Sequence, residues 1–209
     1  MKLTKRTELW TTKQSRGGEG VEQALRSDGL SNADYLRWPE GTRMELIGGE
    51  PHAMTPAPSR QHQRVLGALF VQFSNFLHGK SCEVYAVPFD VRLPEGGEAD
   101  EDTMTVVQPD ITLVCDPSKL DDRGCKGAPD LVVEVISPAS IKLDLTVKKS
   151  LYERAGVKEY WIVYPAEKII LVHLLNGEGK YESLDTYSAD DTVTVSVLPG
   201  MSFATEEIF

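Results

Sequence analysis

Two acidic residues on apolar strands and a lysine on the helix that follows carry the chemistry of this chain. Asp110 opens the strand Ile111 to Val114, Glu134 lies inside the run Leu131 to Ile136, and Lys148 stands on the helix after Ser137-Pro138. A carboxylate flanked by Val133 and Val135 is costly to bury unless it is paired or bound to a metal. Magnesium is commonly held by one or two carboxylates plus water and substrate phosphate, so Asp110 and Glu134 are adequate ligands, with Mn²⁺ as a substitute. Lysine supplies a point charge for an attacking water or a phosphorane-like transition state. The three together describe phosphodiester hydrolysis. The bland alternative makes Asp110 a strand opener after Pro109 and gives Glu134 an ordinary basic partner.

Lys148 is chosen from Lys142, Lys148 and Lys149 by position. Asp144, Lys148 and Tyr152 form an i, i+4 stripe beside the apolar stripe Val147, Leu151 and Ala155, which places Lys148 at the border of the buried face. Its competing reading is a surface pair with Asp144, itself a first-turn acid. Asp130 lies four residues before Glu134, about 13 Å at strand rise, and reads as a strand-entry residue. Glu45, in the strand Met44 to Ile47, and His62, in the first turn of a long helix, are candidates for an outer metal ligand or a proton shuttle. Each also has an ordinary reading, Glu45 as an exposed strand acid and His62 as a capping or partner-bonding residue.

The elements that position these residues follow from periodicity. Residues 1–27 are polar, contain Gly17-Gly18-Glu19-Gly20 and read as a flexible amino-terminal extension; residues 28–209 form one domain. Ser31 caps a short helix through Leu36, and Met44 to Ile47 with Glu50 to Met54 form a hairpin about Gly48-Gly49. A corner at Pro56-Ala57-Pro58-Ser59 starts a helix with Val65, Leu66, Leu69, Phe70, Phe73, Phe76 and Leu77 on one face, ending at Gly79. Strands are expected at Cys82 to Val87, Phe89 to Leu93, Ile111 to Val114 and Leu131 to Ile136, then a helix from Ile141 to Ala155 and a strand from Glu159 to Val163. Ile169 to Leu175, Tyr181 to Tyr187 and Thr192 to Val197 read as added antiparallel strands. The order predicts a layered α/β fold, a mixed central sheet flanked by helices.

Composition narrows the setting. No apolar run reaches the roughly 18 residues of a membrane span, and Met1 to Arg6 leads into polar sequence, so a cytoplasmic location is expected. Cys82, Cys115 and Cys125 lack metal-ligand spacing, and their odd number predicts thiols. The net charge of −10 disfavours broad electrostatic attraction to nucleic acid, so a DNA-binding face must be local. Residues 1–27 carry +3, leaving −13 on the remainder. The loop bearing Glu95, Glu98, Asp100, Glu101 and Asp102 reads as solvated.

Beyond these residues, ordered motifs run along the chain: Leu36-Arg37-Trp38-Pro39-Glu40-Gly41, Met44-Glu45-Leu46-Ile47-Gly48-Gly49-Glu50, Ala57-Pro58-Ser59 with His62, and Pro88-Phe89-Asp90-Val91. Gln108-Pro109-Asp110-Ile111, Gly127 to Pro138 and Gly156 to Val163 follow. Over about residues 30–209 the chain resembles the Uma-two family, a branch of the PD-(D/E)xK nuclease superfamily. The resemblance implies a restriction-endonuclease-like α/β fold and a magnesium-dependent site on Asp110 and Glu134, and it strengthens Glu45, His62 and Lys148. The usual strand motif is Glu-x-Lys, whereas here it reads Glu134-Val135-Ile136; the resemblance implies that Lys148 replaces the missing lysine. The expected activity is a DNA endonuclease, with Glu45 supporting the metal and a homodimer by analogy. The competing classes are a catalytically silent nucleic-acid-binding or assembly module and a hydrolase of smaller phosphoesters.

Overall fold

A computed structural model of the protein describes residues 29–54, 58–137 and 143–209. The extension 1–27, most of the proline corner and the expected helix start at Ile141 lie outside the described residues. The chain forms α1 (Asn32–Tyr35), β1 (Met44–Ile47), β2 (Glu50–Ala53), α2 (Arg60–Leu77), β3 (Glu83–Ala86), β4 (Val91–Arg92), β5 (Val106–Val107) and β6 (Ile111–Val114). It continues through β7 (Leu120–Asp121), β8 (Gly124–Lys126), β9 (Leu131–Val135), a π-helical turn Leu143–Lys148, α3 (Lys149–Ala155) and β10 (Glu159–Tyr164). The last strands are β11 (Ile169–Leu175), β12 (Tyr181–Tyr187), β13 (Thr192–Thr194) and β14 (Ser202–Ala204).

The expected single mixed sheet is resolved into two. One sheet runs β12-β11-β10-β9-β6-β3, parallel only between β9 and β10; the other runs β2-β1-β5-β4-β8-β7, parallel only between β4 and β8. Expected strand Thr192 to Val197 stops at Thr194 and pairs with β14 as a separate hairpin instead of extending the large sheet.

Side-chain alternation divides the large sheet's two faces. Leu131, Val133 and Val135 join Ile111, Leu113, Trp161 and Val163 under the helical stripe Val65, Leu66, Leu69, Phe73 and Leu77 of α2. Val132, Ile136, Tyr160 and Ile162 turn the other way and meet Leu151 and Tyr152 of α3 together with Val91, Val107 and Cys125 of the second sheet. Glu134 therefore points into the α3 side. Ser59 caps α2 by accepting a hydrogen bond from the His62 N–H at 3.1 Å, which fixes the histidine at the helix entrance.

Three local expectations are corrected. Cys82 and Cys115 form a disulfide, because the β3–β6 pairing of Glu83 with Val114 continues outward by one residue on each strand; the buried Cys125 is the free thiol. In the acidic loop Glu95, Glu101 and Asp102 are exposed as expected, but Asp100 is mostly buried and binds the fully buried Arg92 guanidinium through both oxygens at 3.0 and 2.9 Å, which anchors the loop. On the helix after β9, Val147 is exposed while Asp144, Lys148 and Tyr152 are buried. The wide π turn rotates the stripe away from the register of a regular helix.

His173 on β11 is buried against Tyr160 and Tyr181, its Nδ1 without a hydrogen-bond partner among the described residues. Burial pushes its pKa down to about 4, with Lys149 adding to the effect. The folded state thus resists a proton that the unfolded chain accepts near pH 6.5, so this residue's contribution is present above pH 6.5 and is lost as the pH falls toward 4. Urea denaturation at pH 7 and pH 4.5 is expected to show wild type losing about 1–2 kcal/mol more than His173→Gln, allowing for partial solvent screening.

Candidate active site

The five sequence-derived candidates meet at one end of the large sheet. The β6–β9 register pairs Ile111 with Val133, and continuing it by one residue sets Asp110 opposite Glu134. Asp110 Oδ2 accepts the Val135 N–H at 2.7 Å, so the carboxylate is locked onto the neighbouring strand next to Glu134. The same oxygen lies 3.2 Å from His62 Nε2, which gives His62 its partner. Its Nδ1 is buried without a hydrogen-bond partner among the described residues.

Lys148 reaches inward from the end of the π turn. Its ammonium donates to Glu134 Oε1 at 2.9 Å and to Glu45 Oε1 at 3.0 Å, and lies 3.8 Å from Asp144 Oδ1. All four side chains are at most 6% exposed, which excludes both the surface Asp144–Lys148 pair and the exposed reading of Glu45. Burial alone would pull the lysine pKa down, but Glu134, Glu45 and Asp144 outweigh it and hold the ammonium above the usual lysine range. Burial pushes Glu134 the other way, well above an ordinary carboxyl; Asp144, Asp110 and Glu45 add to the rise and Lys148 opposes it.

Sequence reasoning missed three supports. Tyr152 OH donates to Glu134 Oε1 at 2.9 Å, so two donors fix that oxygen. The Gln108 N–H donates to Glu45 Oε1 at 2.9 Å. Asp144 faces the lysine from inside the protein. Tyr152 shares the i, i+4 stripe with Lys148, and a phenol on an inward stripe is a legible partner for a buried acid; the Gln108 contact comes from the backbone and leaves no mark in the sequence. Tyr152→Phe is expected to reduce the activity of the site by about 10- to 100-fold, the usual effect of removing a partner that orients a reacting group. Circular dichroism should show an intact fold, and steady-state kinetics should place the loss mainly in kcat.

A cavity of about 640 Å³ opens above these groups, lined by Glu45, His62, Asp110, Glu134, Asp144 and Lys148, with Arg43 and Gln63 at its polar rim. Its donor chemistry suits a hard divalent cation. Glu45, Asp110 and Asp144 all bear on Glu134, and the Lys148 ammonium offsets only part of that negative charge. Among the described residues no three His, Cys, Asp or Glu side chains are spaced to hold a metal unaided. Magnesium does not need three, since water completes its shell.

A sequence profile for the family described as "Putative restriction endonuclease", Uma2, matches residues 33–206. The chain belongs to this family. An uncharacterized protein from Synechocystis is 28% identical over 183 residues, covering 86% of this chain and 91% of that protein. The crystal structure of a putative nuclease belonging to DUF820 from Anabaena variabilis superposes with a TM-score of 0.68 at 16% identity, covering 86% of this chain and 97% of that one. The two-sheet arrangement is therefore the restriction-endonuclease-like α/β fold. Among the described residues no helix is long and apolar enough to cross a membrane.

Proposed function

We propose that this Uma2 protein is a magnesium-dependent endonuclease that hydrolyses phosphodiester bonds of DNA. The observation that carries the reading is the buried Lys148 ammonium held between Glu45 and Glu134, beside Asp110, at the floor of an open cavity. Structural cores rarely gather several acids around one lysine and leave the group facing a cleft, because the desolvation is not recovered by stability.

Asp110, Glu134 and Glu45 would hold the cation, which when bound supplies Lewis-acid stabilisation of the phosphate and an activated water. The protein's own residues do the rest. Val135 N–H and Tyr152 orient the two central carboxylates. Lys148 keeps its proton and places a fixed positive charge where negative charge develops on phosphate. His62, tied to Asp110, is placed to accept or relay a proton. A homodimer would let two such sites meet two strands.

The test is incubation of the purified protein with supercoiled plasmid, linear duplex, single-stranded DNA and RNA in Mg²⁺ or Mn²⁺, beside Glu134→Gln. Cleavage of DNA that depends on the cation and disappears in the variant is the expected result. Equal cleavage by both proteins would remove the site. No cleavage, with no cation binding by calorimetry, would leave a silent module of the same fold.

A further inference from the structure

A second cavity of about 490 Å³ shares the wall formed by Pro88 and Gln108 with the first. On one side of it Tyr85 and Phe89 stack face to face, ring centroids 4.1 Å apart and planes 3° from parallel, both half-buried. The lining also includes Asp90, Asp121 and Asp122, with Arg123 among them. The fold builds this cavity closely. β8 passes so near the Phe89–Asp90 segment that a Cβ on Gly124 would lie 2.2 Å from the Asp90 carbonyl oxygen, and the Cys125 N–H binds that oxygen at 2.9 Å.

Asp90 Oδ1 accepts from Tyr35 OH at 2.9 Å and from Gln108 Nε2 at 2.7 Å, so its carboxylate is fixed in place. Gln108 faces both cavities, and its backbone N–H is the group that holds Glu45.

We infer that the second cavity is a subsite for one unpaired nucleobase, whose flat face stacks on the Tyr85–Phe89 pair and whose ring or exocyclic N–H groups are met by acids of the lining. Aromatic faces bind any base by stacking, and ionised carboxylates accept hydrogen bonds from the N–H groups that bases carry. Stacking holds a base by its uncharged face and leaves the sugar-phosphate outside the second cavity, toward the first, which Pro88 and Gln108 divide from it and where Lys148 stands. A duplex hides its bases from such a pocket, which makes the preferred substrate single-stranded or locally unpaired. The inference deepens the nuclease reading and rests on it for the class of substrate.

The probe is a short single-stranded oligonucleotide with one 2-aminopurine, whose fluorescence falls on stacking and which carries an exocyclic amine. It is titrated with the full chain in EDTA, so that binding is read without cleavage. Wild type is expected to quench the signal and to bind at least fivefold more tightly than Phe89→Ala, the low end for loss of one stacked base. Phe89→Trp should restore both, which separates stacking from misfolding. The same oligonucleotide in duplex form should be quenched little. Absence of quenching by wild type, or equal quenching by Phe89→Ala and Tyr85→Ala, would overturn the subsite. Quenching without any cation-dependent cleavage supports the subsite and removes the nuclease reading; cleavage without quenching does the reverse.

Discussion

Lys148→Met is expected to abolish cleavage, lowering kcat by at least about 10²- to 10³-fold, the usual loss when a charge aimed at the transition state is removed. The isosteric stem keeps the packing, so the loss isolates the ammonium. Its removal also strands Glu45, Glu134 and Asp144 together in a buried site. Breaking a buried ion pair from one side costs about 3–5 kcal/mol, and part of that is recovered here when Glu134, already inclined to protonate, takes up a proton. Denaturant midpoints should therefore fall in Lys148→Met and recover in Lys148→Met/Glu134→Gln, while cleavage stays absent in both. A double variant that recovers stability and cleavage together would show Lys148 to be only a structural counter-ion.

Arg92→Met should be the most damaging change outside the cavity. The guanidinium is 2% exposed, bonded to Asp100 through both oxygens and to Asp121 Oδ1 at 2.6 Å. Removing it leaves a largely buried Asp100 with Arg123 and a distant Lys126 as its basic partners. We expect a loss of about 3 kcal/mol, somewhat softened because Asp121 is partly solvated. For a chain of this length that is roughly 6–12 °C in melting temperature, measurable by calorimetry. Arg92→Met/Asp100→Asn should regain part of it.

The contrast between these residues shows what could be read from the chain. Glu134 was legible because an ionisable group in the middle of a β-branched run violates the pattern around it, and Lys148 was legible because an i, i+4 acid and an apolar stripe bracket it. Arg92 carries the same kind of violation on β4, but that strand spans two residues and gives too little periodicity to mark which face it buries. The second sheet escaped for the same reason: β5, β7 and β8 are two or three residues long, and the pairings of β5 with β1 and of β8 with β4 join segments far apart in sequence. Val147 was misjudged because an i, i+4 stripe assumes 3.6 residues per turn, whereas the segment Leu143–Lys148 is wider. The disulfide depended on β3–β6 register, which cysteine spacing does not encode.

The bond from Glu45 to Lys148 joins residues 103 positions apart, and Asp110 and Glu134 arrive between them. A growing polypeptide thus holds Glu45, Asp110 and Glu134 before it holds the lysine that gathers them. On the proposed function, activity requires residue 148 to have been made and α3 to have closed over β9. Any fragment ending earlier carries the acids without the ammonium that holds Glu45 and Glu134 together.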